Sequence, residues 1–134
     1  MDENNAVVII GAGQAGVQAA QSLRQAGYEA RIIMFGDEAA PPYQRPPLSK
    51  AYLQGELAAE RLYLKPPAFY EKQNIDLRLN VRVTAIDRSA KTVTTETGVV
   101  VSYDKLLLAT GAPPRRLNVA GAELAGVHYL RTCA

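Results

Sequence analysis

The chain has 134 residues, 48% hydrophobic and 21% charged, with a formal net charge of +2 at pH 7. That balance excludes wholesale disorder, the apolar runs are too short to span a bilayer, and Lys and Arg lie scattered among carboxylates without a basic tract, so neither membrane nor nucleic acid is an expected partner. The acidic start MDENN is unlike a secretory signal, and one cysteine builds no internal disulfide framework, which makes the cytoplasm the expected compartment.

Residues 6–10 (AVVII) form an unbroken, β-branched apolar run, the pattern of a strand buried on both faces of a parallel sheet. GAGQAG at 11–16 follows at once. A helix is predicted over 14–26, with Gly16, Ala19, Ala20 and Leu23 on one face, Gln18, Gln21 and Arg24 at polar positions, and Gly27 placed to end it. Residues 30–35 (ARIIMF) read as a second buried strand and complete a βαβ unit.

PPYQRPPLSK at 41–50 then interrupts this pattern. Residues 48–54 (LSKAYLQ) predict a short helix capped by Ser49, and residues 67–73 predict another. The stretches at 77–79, 81–83, 92–94 and 99–101, with a turn at Thr97 and Gly98, predict an antiparallel meander with one wet face. Residues 105–110 (KLLLAT) return to the doubly buried pattern and stop at Gly111, before Pro113 and Pro114. The expected class is α/β: a parallel sheet with an inserted antiparallel meander.

In such a strand-to-helix turn Gly11 permits the tight bend, Gly13 lets the backbone approach a pyrophosphate, and Gly16 lets the helix pack close to the strand. The helix N-terminus adds N–H groups and a partial positive charge. Asp37 and Glu38 lie just past the second strand, about 20 residues beyond the loop, where an acidic side chain accepts hydrogen bonds from an adenosine ribose. One of the two is expected to do so. These residues do not separate NAD from FAD, since both contain ADP. His128 and Cys133 have no partners at ligand spacing, so no metal is expected.

GAGQAG, FGDEAAPPYQRPPLSK, LYLKP and LLLATG in this order resemble the FAD-dependent ferredoxin reductases of bacterial oxygenase systems, within the pyridine nucleotide-disulfide oxidoreductase superfamily. The resemblance covers nearly the whole chain. It implies a Rossmann-like FAD-binding domain in which NAD(P)H reduces FAD and the flavin passes single electrons to a [2Fe–2S] ferredoxin. It also implies cofactor contacts at Gly11, Gly13, Ala15 and Gly16 of the loop and at Ala109, Thr110 and Gly111 of LLLATG. Asp37, with Glu38 beside it, falls at the ribose, Val83 at the adenine through its backbone, and Lys50 and Arg131 near the isoalloxazine.

Prolines fix φ near −65° and lower the entropy lost on ordering a loop, so PPYQRPP can form a preset wall beside a planar ring. Lys50 is the candidate catalytic residue, its charge favouring the anionic reduced flavin. Disulfide reductases of the same superfamily carry a redox cysteine pair after the second strand. With Cys133 alone, electrons are expected to leave to an external one-electron carrier.

Residues 1–111 are expected to be the larger portion of the FAD domain and residues 112–134 the crossing into an absent NAD(P)-binding domain. The chain is accordingly expected to be a fragment, inactive alone. A non-catalytic flavin-binding or partner module and a plain NAD-binding Rossmann domain stand as alternatives.

Overall fold

The structure, a computed structural model, describes residues 5–134. The acidic start falls almost wholly outside them. Strand β1 (Ala6–Ile10), helix α1 (Gln14–Gln25) and strand β2 (Arg31–Phe35) form the βαβ unit, followed by helix α2 (Ala68–Lys72) and strands β3 (Ile75–Arg78), β4 (Val83–Asp87), β5 (Thr92–Thr95), β6 (Val100–Ser102) and β7 (Lys105–Leu108). One sheet runs β3-β2-β1-β7, all parallel. The other is the antiparallel meander β4-β5-β6.

Side chains of β1 and β2 alternate between two cores. Val7, Ile9, Ile32 and Met34 pack with Val17 and Ala20 of α1 and Tyr70 of α2. Ala6, Val8, Ile33 and Phe35 pack on the other side against Val93 of β5 and Tyr103. Covering both faces is what makes these strands read as continuous apolar runs. Burying each large aliphatic side chain contributes about 1.5–3 kcal/mol.

Helix α1 ends where Gly27 turns to φ 83°. The Arg24 guanidinium, at the negative end of the helix, donates to the carbonyls of Tyr28, Ala30, Gln73 and Asn74. It thereby ties the helix end to the entry of β2 and to the α2–β3 turn.

Three expectations need correction. The helix predicted over 48–54 is instead a 3-10 turn at Pro46–Ser49 with proline at its first positions and no side-chain cap. Proline presets φ for a first helical turn and lacks the N–H that would go unpaired there, so the turn nucleates at Pro46 and Ser49 ends it. Irregular turns follow, closed by Gly55 at φ 76°.

The second correction concerns residues 77–79, assigned to the meander. Leu77 and Arg78 belong to β3, which pairs in parallel with β2, Ile32 opposite Ile75. As the edge strand of the parallel sheet, β3 is only partly covered, and partial cover produces the alternation that resembles a meander strand. The third is burial of 105–110. Strand β7 forms beside β1 as expected, yet Leu107 and Leu108 are 38% and 60% exposed. An apolar run records which residues want cover, and nothing in the described residues covers these two.

On β3, Asp76 accepts from Arg78 at 2.8 Å and from Arg31 at 3.0 Å. The Arg78 hydrogen bond, opposed by burial and helped by Arg31, holds its carboxyl below the usual range. A depressed folded-state pKa contributes stability that is full above the unfolded value, about 3.9, and is lost as pH falls through the folded one. Asp76→Asn should therefore flatten the decline of the urea midpoint as the pH falls below about 4. An equally steep decline in the variant would contradict this.

Candidate functional site

A cleft of about 870 Å³ opens at the C-terminal ends of β1, β2 and β7. Ligands of open α/β sheets bind at this end, and the volume lies toward the top of the roughly 300–1,000 Å³ typical of small-molecule sites. The glycine loop forms its floor, and its three glycines answer to different demands.

At Gly11, φ is 119° and an added Cβ would stand 2.0 Å from the Ala109 carbonyl oxygen. At Gly16 it would stand 2.1 Å from the Gly11 carbonyl oxygen, wedging α1 away from β1. Gly13 differs. It begins α1 with an extended backbone, φ −112° and ψ −162°, which any residue adopts, and an added Cβ would meet nothing within 4 Å. Folding does not require glycine there, so the empty space belongs to the cleft. The first turn of α1 has no side-chain cap and no acidic residue, leaving its free N–H groups available to an anion.

Gly36, immediately after β2, was not singled out by sequence. A Cβ there would come 2.6 Å from that of Ala12, so the exits of β1 and β2 meet only because Gly36 has none. Its position at the end of a buried strand was the available signal.

The two candidate ribose carboxylates lie in unlike surroundings. Asp37 sits on the cleft rim, its side chain 57% exposed, with the Arg82 guanidinium 3.3 Å away. Glu38 turns inward. One of its oxygens accepts the Tyr43 hydroxyl and the other the Arg45 guanidinium.

Arg45 lies 4.9 Å from the Tyr43 ring centroid, and also donates to the Tyr43 hydroxyl at 2.8 Å and to the Arg131 carbonyl at 2.7 Å. The Tyr43 oxygen accepts the Cys133 N–H at 3.1 Å, and the Tyr52 hydroxyl donates to the Cys133 carbonyl at 3.2 Å. Burial, followed by the Glu38 hydrogen bond, pushes the Tyr43 hydroxyl pKa far up. For Arg45 burial works downward, but the hydrogen bond and charge of Glu38 outweigh it and leave the pKa raised. The phenol therefore stays neutral and the guanidinium charged at physiological pH.

Residues 112–134 contain no helix or strand, and this cluster is where they return to the domain. The Arg131 guanidinium lies 2.6 Å from where a Cβ on Gly111 would stand, and Gly111 has φ 68°.

Of the residues singled out by sequence, Gly11, Gly13, Ala15, Asp37, Glu38, Val83, Ala109, Thr110, Gly111 and Arg131 line the cleft. Gly16 lies behind it, against Gly11. The structure does not bring Lys50 to the cleft. The 3-10 turn ends just before it, its backbone turns away at φ −125° and ψ −116°, and the exposed side chain folds back to donate to the Pro46 carbonyl at 3.3 Å. The cationic side chain that the proline segment does bring there is Arg45, together with Tyr43.

The sequence matches the family described as pyridine nucleotide-disulphide oxidoreductase over residues 5–134. It is 50% identical over 127 residues to the rubredoxin-NAD(+) reductase of Pseudomonas putida, covering 95% of this chain and 33% of that protein. Among solved structures, the ferredoxin reductase for the CYP199A2 system from Rhodopseudomonas palustris superposes with a TM-score of 0.89 at 46% identity, over 96% of this chain and 32% of that one. The reductase in a covalent putidaredoxin reductase–putidaredoxin complex gives 0.82 at 48% identity, over 88% and 28%. The chain thus spans about a third of the length of the curated relatives it matches. With the family matched from Asn5 to the last residue, and with the parallel sheet, the glycine loop and the cleft in place, the chain belongs to the pyridine nucleotide-disulphide oxidoreductase family.

Proposed function

We propose that the cleft binds FAD and that residues 1–111 are the larger portion of the flavin domain of an NAD(P)H-dependent ferredoxin reductase. Gly13 carries this reading: its missing side chain serves no packing purpose, and the space it leaves lies at the N-terminus of α1, where a pyrophosphate would sit. The N–H groups of Gly13 and Ala15 would hold the phosphates, Asp37 the adenosine ribose, and the Val83 backbone the adenine side. Ala109, Thr110, Gly111 and Arg131 would face the flavin side. Residues 112–134 would lead toward the NAD(P) domain.

Bound FAD supplies the conversion of a two-electron hydride donor into single electrons for a [2Fe–2S] ferredoxin. Arg131 puts positive charge on the cleft wall, while that of Arg45 is balanced by Glu38, and a cation there favours a more negative, reduced ring beside it. Cys133 is the chain's one cysteine, so no cysteine pair waits beside the cleft to receive the electrons. An external acceptor fits this, and relatives named for rubredoxin and putidaredoxin support it. The reaction would run in the cytoplasm, which keeps a lone thiol reduced. Among the described residues no helix is long and apolar enough to cross a membrane.

The test is turnover of the intact protein that carries this chain, followed as NAD(P)H-dependent bleaching of a [2Fe–2S] ferredoxin. FAD-dependent reduction is expected. A flavin-loaded protein that reduces no ferredoxin would favour the non-catalytic module instead.

A further inference from the structure

We propose that Glu38 is a positioning residue that fixes the cleft wall formed by Tyr43, Arg45 and the chain at 131–133, and that it takes no part in recognising adenosine. This rests on the reading of the cleft as a FAD site. Asp37 and Glu38 are adjacent in sequence, and the ribose signal alone does not choose between them. The structure separates them by what their carboxylates already hold. Asp37 is open on the rim beside a single, largely exposed Arg82. Glu38 has both oxygens engaged by side chains of the proline segment, one of them the 4% exposed Tyr43.

From Glu38 the contacts run outward without a break. Arg45 reaches the Arg131 carbonyl, and Tyr43 receives the Cys133 N–H. Arg131 in turn stands over Gly111 at the exit of β7. The cluster therefore bridges the cleft from the β2 exit to the β7 exit, through contacts that span 86 and 90 positions along the chain. Removing the carboxylate leaves a part-buried guanidinium without its counter-charge and a buried hydroxyl without its acceptor, and both partners shift to recover hydrogen bonds. The wall beyond the pyrophosphate then loosens, while the Gly13 loop and Asp37, held by β1, α1 and β2, do not move.

The prediction is a split between two ligands, measured by equilibrium titration of the chain with ADP and with FAD. ADP fills only the adenosine diphosphate half, whereas FAD also needs the wall. Glu38→Ala should raise the FAD Kd about tenfold and leave the ADP Kd within about twofold, and Glu38→Gln, which keeps one acceptor, should fall between it and wild type. Asp37→Asn should weaken both ligands about equally. Tyr43→Phe should weaken FAD alone, and combining it with Glu38→Ala should add little, because both act through one cluster.

Equal weakening of ADP and FAD by Glu38→Ala would make Glu38 an adenosine ligand and overturn the proposal. So would unchanged binding of both. Should Glu38→Ala fail to fold, Glu38→Gln and Tyr43→Phe carry the same comparison. Wild-type protein that binds neither ligand would overturn the FAD reading itself, a result distinct from a missing split.

Discussion

Replacing Gly13 by valine is expected to abolish FAD binding, raising Kd by about a hundredfold or more, while leaving the circular dichroism and thermal midpoint of the chain as they are. The extended backbone at Gly13 suits valine, and beyond the adjoining residues its Cβ would meet no protein atom within 4 Å, so folding loses nothing large. The branched side chain instead fills the space between the α1 N-terminus and the ligand. Hydrogen bonds to charged groups contribute about 1.5–3 kcal/mol each, and every 1.4 kcal/mol is tenfold, so losing two phosphate contacts gives that magnitude. Retained FAD in the folded variant would contradict the assignment of the loop. A Gly13→Val protein that unfolds would show instead that the glycine serves packing.

The same substitution three residues on should do the opposite. In Gly16→Val the Cβ would lie 2.1 Å from a backbone oxygen of Gly11 and 3.3 Å from Cγ2 of Ile9. A backbone atom cannot rotate aside, so α1 must leave β1, and with it Val17 and Ala20 lose their place against Ile9 and Ile32. Overpacking of a core costs about 1–3 kcal/mol where side chains can adjust. Here they cannot, and a loss of at least about 3 kcal/mol approaches the whole stability of a small domain. Urea unfolding followed by circular dichroism should show the variant unfolded or far less stable. A cooperative transition at the wild-type midpoint would refute the packing role of Gly16. Together the pair assigns one glycine of the motif to the ligand and the other to the fold.

The βαβ unit was legible because two independent signals coincide there. Doubly buried strands read as apolar runs, and the glycine loop falls between the first of them and an amphipathic helix. Strand β3 was misassigned because alternation reports partial cover and not the partner sheet: an edge strand of a parallel sheet and a strand of a meander share it. Strand β7 was found, but its exposure was not, since Leu107 and Leu108 are apolar whether or not anything packs on them.

In the cleft, the positions fixed by backbone geometry were legible and those fixed by side-chain direction were not. Gly11, Gly13 and Gly36 act through what a Cβ would do, and of these only Gly36 escaped the motif. Lys50 and Arg45 lie five positions apart in one cationic, proline-rich stretch, and nothing in composition says which faces inward. That depends on Pro46 and Pro47 starting a tight turn that carries Lys50 out to solvent, while Arg45 is drawn to Glu38. The separation of Asp37 from Glu38 was hidden for the same reason.

The most direct measurement is an ultraviolet–visible absorption spectrum of the purified chain after incubation with FAD and removal of the excess by desalting, with a parallel sample incubated with NAD and the nucleotide released from it assayed by its ultraviolet absorption. Flavin bands near one equivalent per chain and no retained NAD are the expected result. A folded protein that comes through colourless while retaining NAD would contradict it, and would make the cleft an ordinary NAD-binding Rossmann site.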